Sequence, residues 1–320
     1  MHHYCTLFDR NYLSRGLTLY RSLARHGRDF RLHVLCLDRE TRESLSALAL
    51  PDVELHSLAE LEASDPALSA VRSQRSPAEY FFTCKPVLLA HLQAAHPDGR
   101  RFTYLDSDLY FFAPAHLVDE ECADSSVAVA PHKFGSPNAD RLKYGQFNAG
   151  WVSAGRSPEA REFVQWWRAR CIEWCRMVVE GPRFADQKYL EQVPGRFPEA
   201  RVVHHPGVNA GPWSLDASQV QLADGKVSIN GAPLLIFHFH LLHRILPGVF
   251  ESGLHEYGVK LTAAIRQGIY APYLAEMARS AGTLGRVASD AEASRRPSLG
   301  RRLARSARAV ARRSALFAAG

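Results

Sequence analysis

Two aspartates that follow a short apolar segment are the clearest chemical feature of the sequence. Residues 102–105 are apolar enough for a buried strand, and Asp106, Ser107 and Asp108 come directly after them. Carboxylates are rarely buried unless they are paired or hold a metal. In an open α/β sheet, ligands bind just beyond the carboxyl ends of the strands. The segment therefore predicts a site for Mg²⁺ or Mn²⁺, which typically binds one or two carboxylates together with phosphate oxygens of a substrate.

The same three residues have a simpler interpretation, a turn that closes the strand, since Asp and Ser bond readily to nearby backbone. A pair of histidines favours the metal. Phe237-His238-Phe239-His240 ends a later apolar segment, and both histidines share one face because side chains alternate along a strand. Imidazole suits Mn²⁺ as a third protein ligand beside two carboxylates. Without a metal, the two histidines would be surface residues of an edge strand.

Lys85 is a second signal that depends on its position. The apolar pattern from Pro86 to Ala95 predicts a helix with Pro86 at its first position, where the missing N–H costs nothing. Lys85 would then lie at a helix N-terminus, where backbone donors and the helix dipole favour anions. On its own, a lysine is more often a solvated surface charge.

The segments that must position these residues alternate between strand and helix. Residues 64–76 have no clear period and are expected to form a surface excursion. This alternation predicts an α/β fold with a mostly parallel sheet covered by helices. Strands are predicted at 4–8, 30–37, 53–58, 102–105, 127–130 and 147–153, with a last one at 234–241. Helices are predicted from Asp9, over 41–50, 85–95 and 158–179, and from Phe184, with a loop at 131–145.

The composition indicates a globular protein with a core. Of the 320 residues 46% are hydrophobic and 22% charged, and the net charge is +6. The six cysteines form no Cys-x-x-Cys pair, so free thiols in a reducing cytoplasm are expected. No apolar run approaches the ~20 residues of a transmembrane helix, and the N-terminus lacks the apolar region of a signal peptide. A cytoplasmic protein is therefore expected, with a peripheral position at the inner face of the membrane as an option.

Residues 278–320 differ in kind from the rest, because arginines alternate there with Ala, Ser and Leu. This composition is compatible with a disordered tail and with a basic helix at an anionic membrane surface. Nucleic acid is not expected as a partner, because no aromatic platform or reading motif accompanies the charge. The sequence predicts one domain over 1–277, followed by this basic tail.

Six motifs between residues 4 and 250 occur in a specific order along the chain. They are Thr6-Leu7-Phe8-Asp9-Arg10-Asn11-Tyr12, Lys85, Asp106-Ser107-Asp108, Phe147-Asn148-Ala149-Gly150, Asp186-Gln187 and His238-Phe239. This series resembles the motifs of the glycogenin-like glycosyltransferases of family eight, and more broadly of the GT-A fold, which binds nucleotide sugars. The resemblance lies in the order of the motifs rather than in a single match.

The resemblance implies a role for each segment. Asp106, Asp108 and His238 would bind Mn²⁺ or Mg²⁺. The catalytic residues would be Asn148, which faces the donor sugar, Asp186, which holds sugar hydroxyls, and Gln187 against the opposite face of the sugar. The residues that would contact the nucleotide-diphosphate sugar are Thr6, Phe8, Asp9, Asn11, Tyr12, Lys85, Asp106, Ser107, Gly150, His240 and Arg244.

The sequence departs from the family after the metal histidine. Leu241 stands where the family has a glycine, Arg244 replaces its lysine, and Ile245-Leu246 replaces its Pro-Trp. Arg244 could still hold a diphosphate oxygen, and more bidentately than lysine. How closely this loop covers the diphosphate, and whether His238 or His240 binds the metal, is left open, with the match to His-Phe favouring His238. The motifs of this sequence also fit a sister family of family eight.

The resemblance implies a metal-dependent transferase that moves a sugar, with retention, from a nucleotide-diphosphate donor, by preference a UDP-sugar, to a glycan, lipid-linked or protein acceptor. Two alternatives stay open. A sugar-phosphate nucleotidyltransferase would be expected to have a glycine-rich loop after the first strand, which Phe8-Asp9-Arg10-Asn11 lacks. A non-catalytic nucleotide-sugar-binding or scaffold protein would keep the binding residues without turnover.

Overall fold

The structure, a computed structural model, describes residues 1–122, 124–246, 248–285 and 315–317. Strands and helices alternate through the first half of these residues and small antiparallel sheets follow. The strands are β1 (His2–Phe8), β2 (Phe30–Cys36), β3 (Val53–Ser57), β4 (Arg101–Leu105), β5 (Leu109–Phe111), β6 (Val127–Pro131), β7 (Phe147–Ala154), β8 (Arg201–Val202), β9 (Val220–Ala223), β10 (Lys226–Ile229), β11 (Ala232–Pro233), β12 (Ile236–His238), β13 (His243–Leu246), β14 (Val249–Glu251) and β15 (Ala315–Phe317).

Helices cover the sheet and connect its strands. The α-helices are α1 (Leu13–His26), α2 (Arg39–Leu48), α3 (Leu58–Ser64), α4 (Pro66–Val71), α5 (Pro77–Ala95), α6 (His116–Glu121), α7 (Pro158–Glu173), α8 (Val193–Arg196) and α9 (Ala271–Leu284). Short 3₁₀ segments occupy Arg10–Tyr12, Arg72–Gln74, Ser136–Tyr144, Lys188–Gln192, Pro212–Ser214 and Leu254–Tyr257, and a π-helical turn, Ile265–Tyr270, leads into α9.

The central sheet has seven strands in the order β3-β2-β1-β4-β7-β6-β8. β7 pairs antiparallel with both of its neighbours, whereas the other pairs in this sheet are parallel. β1 and β4 pair from His2 with Arg101 to Cys5 with Tyr104, so both strands leave the sheet at the same edge. The predicted α/β fold with a mostly parallel sheet is confirmed.

Both faces of this sheet are buried, which explains why its strands read as nearly continuous apolar runs. On β1, Cys5 and Leu7 belong to the core cluster that α5 and α7 cover, whereas Tyr4 and Phe8 belong to the cluster with α1. A third cluster packs α9 against β12 and the small sheets. The sheet is therefore held from two sides, and only the ends of its strands are left for chemistry.

The prediction for the helix at Lys85 is wrong. α5 begins at Pro77, not at Pro86, because Ser76 and Glu79 form a capping box: Ser76 Oγ accepts from the Glu79 amide, and the Glu79 carboxylate accepts from the Ser76 amide. Pro86 therefore lies inside the helix, where packing of a mostly buried segment offsets the lost hydrogen bond. Lys85 is a buried mid-helix residue and not an anion-binding group at a helix N-terminus.

Other predicted boundaries also differ from the structure. Residues 64–76 are not an irregular excursion but contain α4 and a 3₁₀ turn. α7 ends at Glu173 instead of 179, and the predicted loop at 131–145 contains a 3₁₀ segment. The strand expected at 234–241 is reduced to β12 and is not the last one, since β13 and β14 follow it.

The predicted C-terminal tail begins inside α9, which continues to Leu284 and packs against α1. Apart from β15, which pairs with β14, the remainder of the tail lies outside the described residues. Its binding to an anionic membrane surface stays a prediction. Among the described residues, no helix is both long and apolar enough to cross a membrane. All six cysteines are buried free thiols.

A buried carboxylate fastens α9 to α1. Glu276 is 2% exposed and lies 2.5 Å from Arg25 Nη2, 2.9 Å from Arg279 Nη2 and 3.4 Å from Arg21 Nη1. Burial raises the pKa of Glu276, but the hydrogen bonds from Arg279 and Arg25 outweigh burial and lower it to about 2. The ionised carboxylate thus contributes to folding stability at neutral pH.

We expect Glu276→Gln to lower the free energy of unfolding at pH 7 by about 2 kcal/mol, because the buried neutral amide loses the charge-assisted hydrogen bonds from the partly exposed guanidinium groups of Arg25 and Arg279. The folded pKa lies below the ordinary 4.5. The contribution is therefore complete above pH 4.5 and disappears as pH falls through about 2, so the difference between wild type and variant should shrink on acidification. Denaturant unfolding across this range measures it.

The matched control is Glu43→Gln, which removes an exposed ion pair with Arg39 and should change the free energy of unfolding far less, because solvent screens the pair. A difference for Glu276→Gln as small as that of the control at pH 7 would contradict the assignment.

Candidate active site

Backbone pairing at one edge of the sheet brings three predicted metal ligands together. Asp106 follows β4, and its amide donates to the carbonyl of Gly150 on neighbouring β7 at 2.7 Å. β12 pairs antiparallel with β5, His238 opposite Leu109, and the Phe239 amide donates to the carbonyl of Asp108. Residues more than one hundred positions apart thereby face one another.

Asp106, Asp108 and His238 form a group whose ligand atoms lie within 4.8 Å of one another. His238 Nε2 is 3.0 Å from Asp108 Oδ1 and 3.8 Å from Asp106 Oδ2. Its Nδ1 lies 3.3 Å from Asn148 Oδ1, which fixes the ring and leaves Nε2 for the cluster. Two carboxylates and one imidazole are a donor set that fits Mn²⁺ or Mg²⁺. The geometry agrees with His238 rather than His240 as the ligand.

The charges in this group support one another. Burial lowers the pKa of His238, but the Asp108 carboxylate outweighs burial and raises it. Burial likewise raises the pKa of Asp108, and the His238 imidazole and Arg15 guanidinium bring it below its ordinary value. His240 lies beside the group, and burial lowers its pKa to about 4. The ionised form of Asp108 is therefore favoured in this group.

Lys85 connects this group to the predicted catalytic Asp186. Its Nζ lies 3.0 Å from Asp106 Oδ1 and 3.3 Å from Asp186 Oδ2, and the residue is 3% exposed. Burial lowers the pKa of Lys85, but both carboxylates outweigh it and raise the pKa well above its ordinary value. A charged lysine is thus held between two acids, with the Tyr104 hydroxyl also donating to Asp106 at 2.9 Å.

Of the two carboxylates beside Lys85, Asp186 has fewer hydrogen bonds to its side-chain oxygens than Asp106. Burial raises its pKa to about 6, with Lys85 opposing the shift and Asp106 adding to it. Although Asp186 Oδ2 is at ion-pair distance from Lys85, it is buried and makes no hydrogen bond within the described residues. A buried acceptor left open in this way is costly unless a ligand group supplies a donor.

Asn148 is the centre of an amide network beside the cluster. Its Oδ1 accepts from the Gly150 amide at 2.9 Å and from Asn209 Nδ2 at 3.1 Å. Its Nδ2 donates to Gln187 Oε1 at 3.3 Å. Gln187 also accepts from the Ala149 amide and donates to the Tyr144 carbonyl at 3.0 Å. Asp186 and Gln187 lie directly before the 3₁₀ segment Lys188–Gln192. The hydrogen bonds of Gln187 fix its side chain beside Asn148.

The nucleotide-side residues from the sequence prediction lie where β1 ends. Phe8 is buried, and so is Thr6, whose Oγ1 has no hydrogen-bond partner among the described residues. Asp9 accepts from the amide and the side chain of Asn11 at 3.0 and 2.7 Å. Tyr12 is exposed, with the Arg15 guanidinium 4.7 Å from its ring centroid. The buried Ser107 lies between the two aspartates.

Four residues that no sequence pattern indicated lie in contact with the predicted site residues. Arg15 Nη1 lies 3.9 Å from Asp108 Oδ2, and no motif marks it. His132 Nε2 contacts Asn148 Nδ2, and Asn209 is buried in a left-handed conformation with its Oδ1 unpaired. The buried Trp213 meets His238 edge to face at 5.1 Å. The Gly-Pro-Trp turn that ends at Trp213 is the one sequence signal that could have suggested the last of them.

The departures from family eight fall on the turn after His238. Leu241, where a glycine is expected, has φ of +61°, a left-handed conformation that favours glycine. It lies so close to Gly253 that a Cβ on that glycine would be 2.4 Å from Leu241 Cβ. The backbone conformation expected of a glycine is therefore present without the glycine. Arg244 is exposed on β13, and its role toward a diphosphate stays a prediction.

Gly150 leaves no room for a side chain. A Cβ there would lie 2.5 Å from His238 Cε1 and 2.7 Å from both Asn148 Oδ1 and Asp106 Oδ2. We expect Gly150→Ala to displace two of the three metal ligands and to weaken Mn²⁺ binding by roughly 10- to 100-fold, as measured by calorimetric titration.

Gly195→Ala is the matched control, because no atom lies within 4 Å of a Cβ at that position. It should bind Mn²⁺ as wild type does. If Gly150→Ala, with circular dichroism showing it folded, bound Mn²⁺ equally well, this cluster would not be the metal site.

Comparisons with known proteins agree with the architecture. No family model matches the chain. It is 32% identical over 284 residues to the uncharacterized protein YfnD of Bacillus subtilis, covering 87% of this chain and 89% of YfnD. It is 29% identical over 244 residues to YfnF of the same organism, covering 74% of this chain and 80% of YfnF.

Two solved structures share the fold at low sequence identity. The galactosyltransferase LgtC, in complex with donor and acceptor sugar analogues, superposes with a TM-score of 0.51 at 14% identity, covering 90% of this chain and 96% of LgtC. The glycosyltransferase GlyE of Streptococcus pneumoniae gives 0.50 at 16% identity, covering 89% of this chain and 62% of GlyE. The GT-A fold is confirmed, while membership of family eight stays a prediction. The chain belongs to the family of Bacillus subtilis YfnD and has the GT-A fold of the glycosyltransferases.

Proposed function

We propose that the protein is a metal-dependent glycosyltransferase that moves a sugar from a nucleotide-diphosphate donor, a UDP-sugar by preference, to an acceptor hydroxyl with retention at the anomeric carbon. The observation that carries the proposal is the cluster of Asp106, Asp108 and His238 at the carboxyl edge of a GT-A sheet. Whether the acceptor is a glycan, a lipid-linked sugar or a protein is left to experiment.

Asp106, Asp108 and His238 would hold Mn²⁺ or Mg²⁺, which as a Lewis acid supplies charge stabilisation for the diphosphate. The chain adds its own positive charge next to this group. Arg15 lies 3.9 Å from Asp108, and Lys85 lies 3.0 Å from Asp106. Both side chains favour a pyrophosphate that gains negative charge as the sugar leaves.

Asp186 is placed to hold the sugar. Its buried Oδ2 makes no hydrogen bond within the described residues, although it faces Lys85, and it can accept one from a donor hydroxyl. Lys85 Nζ lies 3.3 Å from Asp186 Oδ2 and offsets part of the negative charge of the carboxylate. Asp186 is therefore a weaker nucleophile than a free carboxylate. Asp186 is therefore better suited to position the sugar than to attack its anomeric carbon.

Gln187 favours retention without a covalent intermediate. Its amide is neutral, its Nε2 donates to the Tyr144 carbonyl, and its Oε1 accepts from Asn148 and Ala149. An amide occupied in this way is a poor nucleophile. In the front-face reaction, the bond from the anomeric carbon to the diphosphate oxygen breaks and the bond to the acceptor oxygen forms. The acceptor proton passes to the departing diphosphate, so no base from the chain is required.

The two alternatives differ from the transferase in what an assay would detect. A nucleotidyltransferase would release pyrophosphate from a nucleoside triphosphate, and a scaffold protein would bind the nucleotide sugar without turnover. The described residues after β1 form a 3₁₀ turn capped by Asp9, not a glycine-rich phosphate loop. This observation supports the transferase over the nucleotidyltransferase.

We expect Asp108→Asn to reduce release of nucleoside diphosphate by at least about 100-fold, because a neutral amide holds a divalent cation poorly. The assay uses the full chain with Mn²⁺ and a panel of UDP-, GDP- and CMP-sugars, first without an acceptor. EDTA should abolish turnover in wild type. Asp140→Asn, at an exposed carboxylate, should leave activity intact.

Turnover that persists in EDTA would contradict metal dependence. Nucleotide-sugar binding with no donor hydrolysis, and no transfer across a set of glycan, lipid-linked and protein acceptors, would favour the scaffold.

We expect Asp186→Ala to lower kcat by ~100-fold while the Kd for UDP changes little, because the loss affects positioning of the sugar and not binding of the nucleotide. Kinetics and calorimetry on the same preparation separate the two effects. If UDP affinity were lost together with kcat in a folded variant, Asp186 would belong to the nucleotide pocket.

A further inference from the structure

A second group of metal-ligating side chains lies away from the active site, where the first three strands of the sheet meet. His3 is on β1, His33 on β2, and Glu54 and His56 on edge strand β3. His33 pairs across the strands with Glu54. Since Glu54 and His56 are two residues apart, they project from the same face of β3. Sequence periodicity gave no hint of this group, because its members come from separate strands.

Four atoms from three side chains of this group lie close together, and each of the two nitrogens is measured to a different oxygen of Glu54. His33 Nδ1 lies 3.0 Å from His56 Nε2 and 3.6 Å from Glu54 Oε2, and His56 Nε2 lies 3.6 Å from Glu54 Oε1. In a tetrahedral Zn²⁺ site with bonds of about 2.0–2.1 Å, neighbouring ligand atoms are about 3.4 Å apart. The three separations bracket that value.

Hydrogen bonding alone explains the group less well. A chain of neutral imidazoles accounts for the 3.0 Å contact between His33 and His56. The carboxylate of Glu54, however, stands 3.6 Å from both nitrogens, too far to accept a hydrogen bond from either. Three lone-pair donors arranged around a common centre are the arrangement of a cation site.

The surroundings prepare His33 as a ligand. Its other nitrogen, Nε2, lies 2.9 Å from His3 Nδ1, which fixes the ring orientation and leaves Nδ1 for the group. Burial lowers the pKa of His33 to about 2 and that of His3 to about 4, so both imidazoles are neutral at pH 7. The Glu54 side chain is 45% exposed, which gives a cation a path from solvent.

We propose that His33 Nδ1, His56 Nε2 and the Glu54 carboxylate bind a Zn²⁺ ion that fastens edge strand β3 to β2. Two imidazoles and one carboxylate leave the fourth position for water, a ligand set that Zn²⁺ commonly adopts. The donor set is softer than that of the active site, which has two carboxylates and suits Mn²⁺ or Mg²⁺. The ion is assigned a stabilising role.

The test removes the active-site ligands first, so that only the second site can respond. In the full chain carrying Asp106→Asn and Asp108→Asn, Co²⁺ titration should give the visible absorption of a four-coordinate ion at one equivalent, and Zn²⁺ should displace it. Zn²⁺ should also raise the unfolding temperature. Adding Glu54→Gln or His56→Ala should weaken binding at least 10-fold and remove the thermal shift. Glu54→Gln alters an exposed side chain and so serves if His56→Ala fails to fold.

His116→Ala, an exposed histidine elsewhere, is the matched control and should change neither readout. His96→Ala should also retain binding, although His96 lies near His3 and His33 in an alternative three-imidazole group. Loss of the Co²⁺ spectrum in His96→Ala, with retention in Glu54→Gln and His56→Ala, would overturn the assignment. So would absence of Co²⁺ and Zn²⁺ binding in the starting protein.

Discussion

The site depends on one buried cation. Lys85 lies between Asp106 and Asp186, and without its charge two carboxylates would face each other in a space with little water. Its ammonium joins the strand that carries the metal ligands to the segment that carries the sugar-binding candidates. A buried ion pair contributes little net stability, since desolvation offsets attraction, but it fixes geometry because removal of any member leaves an unpaired charge. The lysine therefore sets the separation between the two halves of the site.

Local patterns sufficed for the elements that carry the chemistry. The apolar run before Asp106 and the His-Phe pair at His238 predicted a metal site, and the structure brings the two together through strand pairing. Lys85 was selected for a wrong reason, since it is buried in mid-helix instead of standing at a helix N-terminus. Arg15 and Asn209 could not be found, because their roles arise from contacts between distant segments and neither lies in a recognisable pattern.

The sheet separates two kinds of coordination chemistry. Carboxylates collect where β4 and β5 meet at the strand ends, whereas imidazoles collect between β1, β2 and β3. The first place is the proposed site of a diphosphate, whose oxygens would complete the coordination of a hard cation. The second is on the face that α5 covers, where His91 of α5 meets the ring of His56 edge to face. Hard and borderline cations would thus be sorted by position as much as by donor type.

Leu241 places backbone strain in the turn that follows His238. A leucine at φ of +61° is strained, because its Cβ disfavours the left-handed region that a glycine adopts at no steric cost. Its close approach to Gly253 restrains the turn further. The strained conformation thus depends on the packing around the turn. The shape of the segment beside His238 is therefore maintained by its neighbours, and a change in their packing would let Leu241 relax toward negative φ.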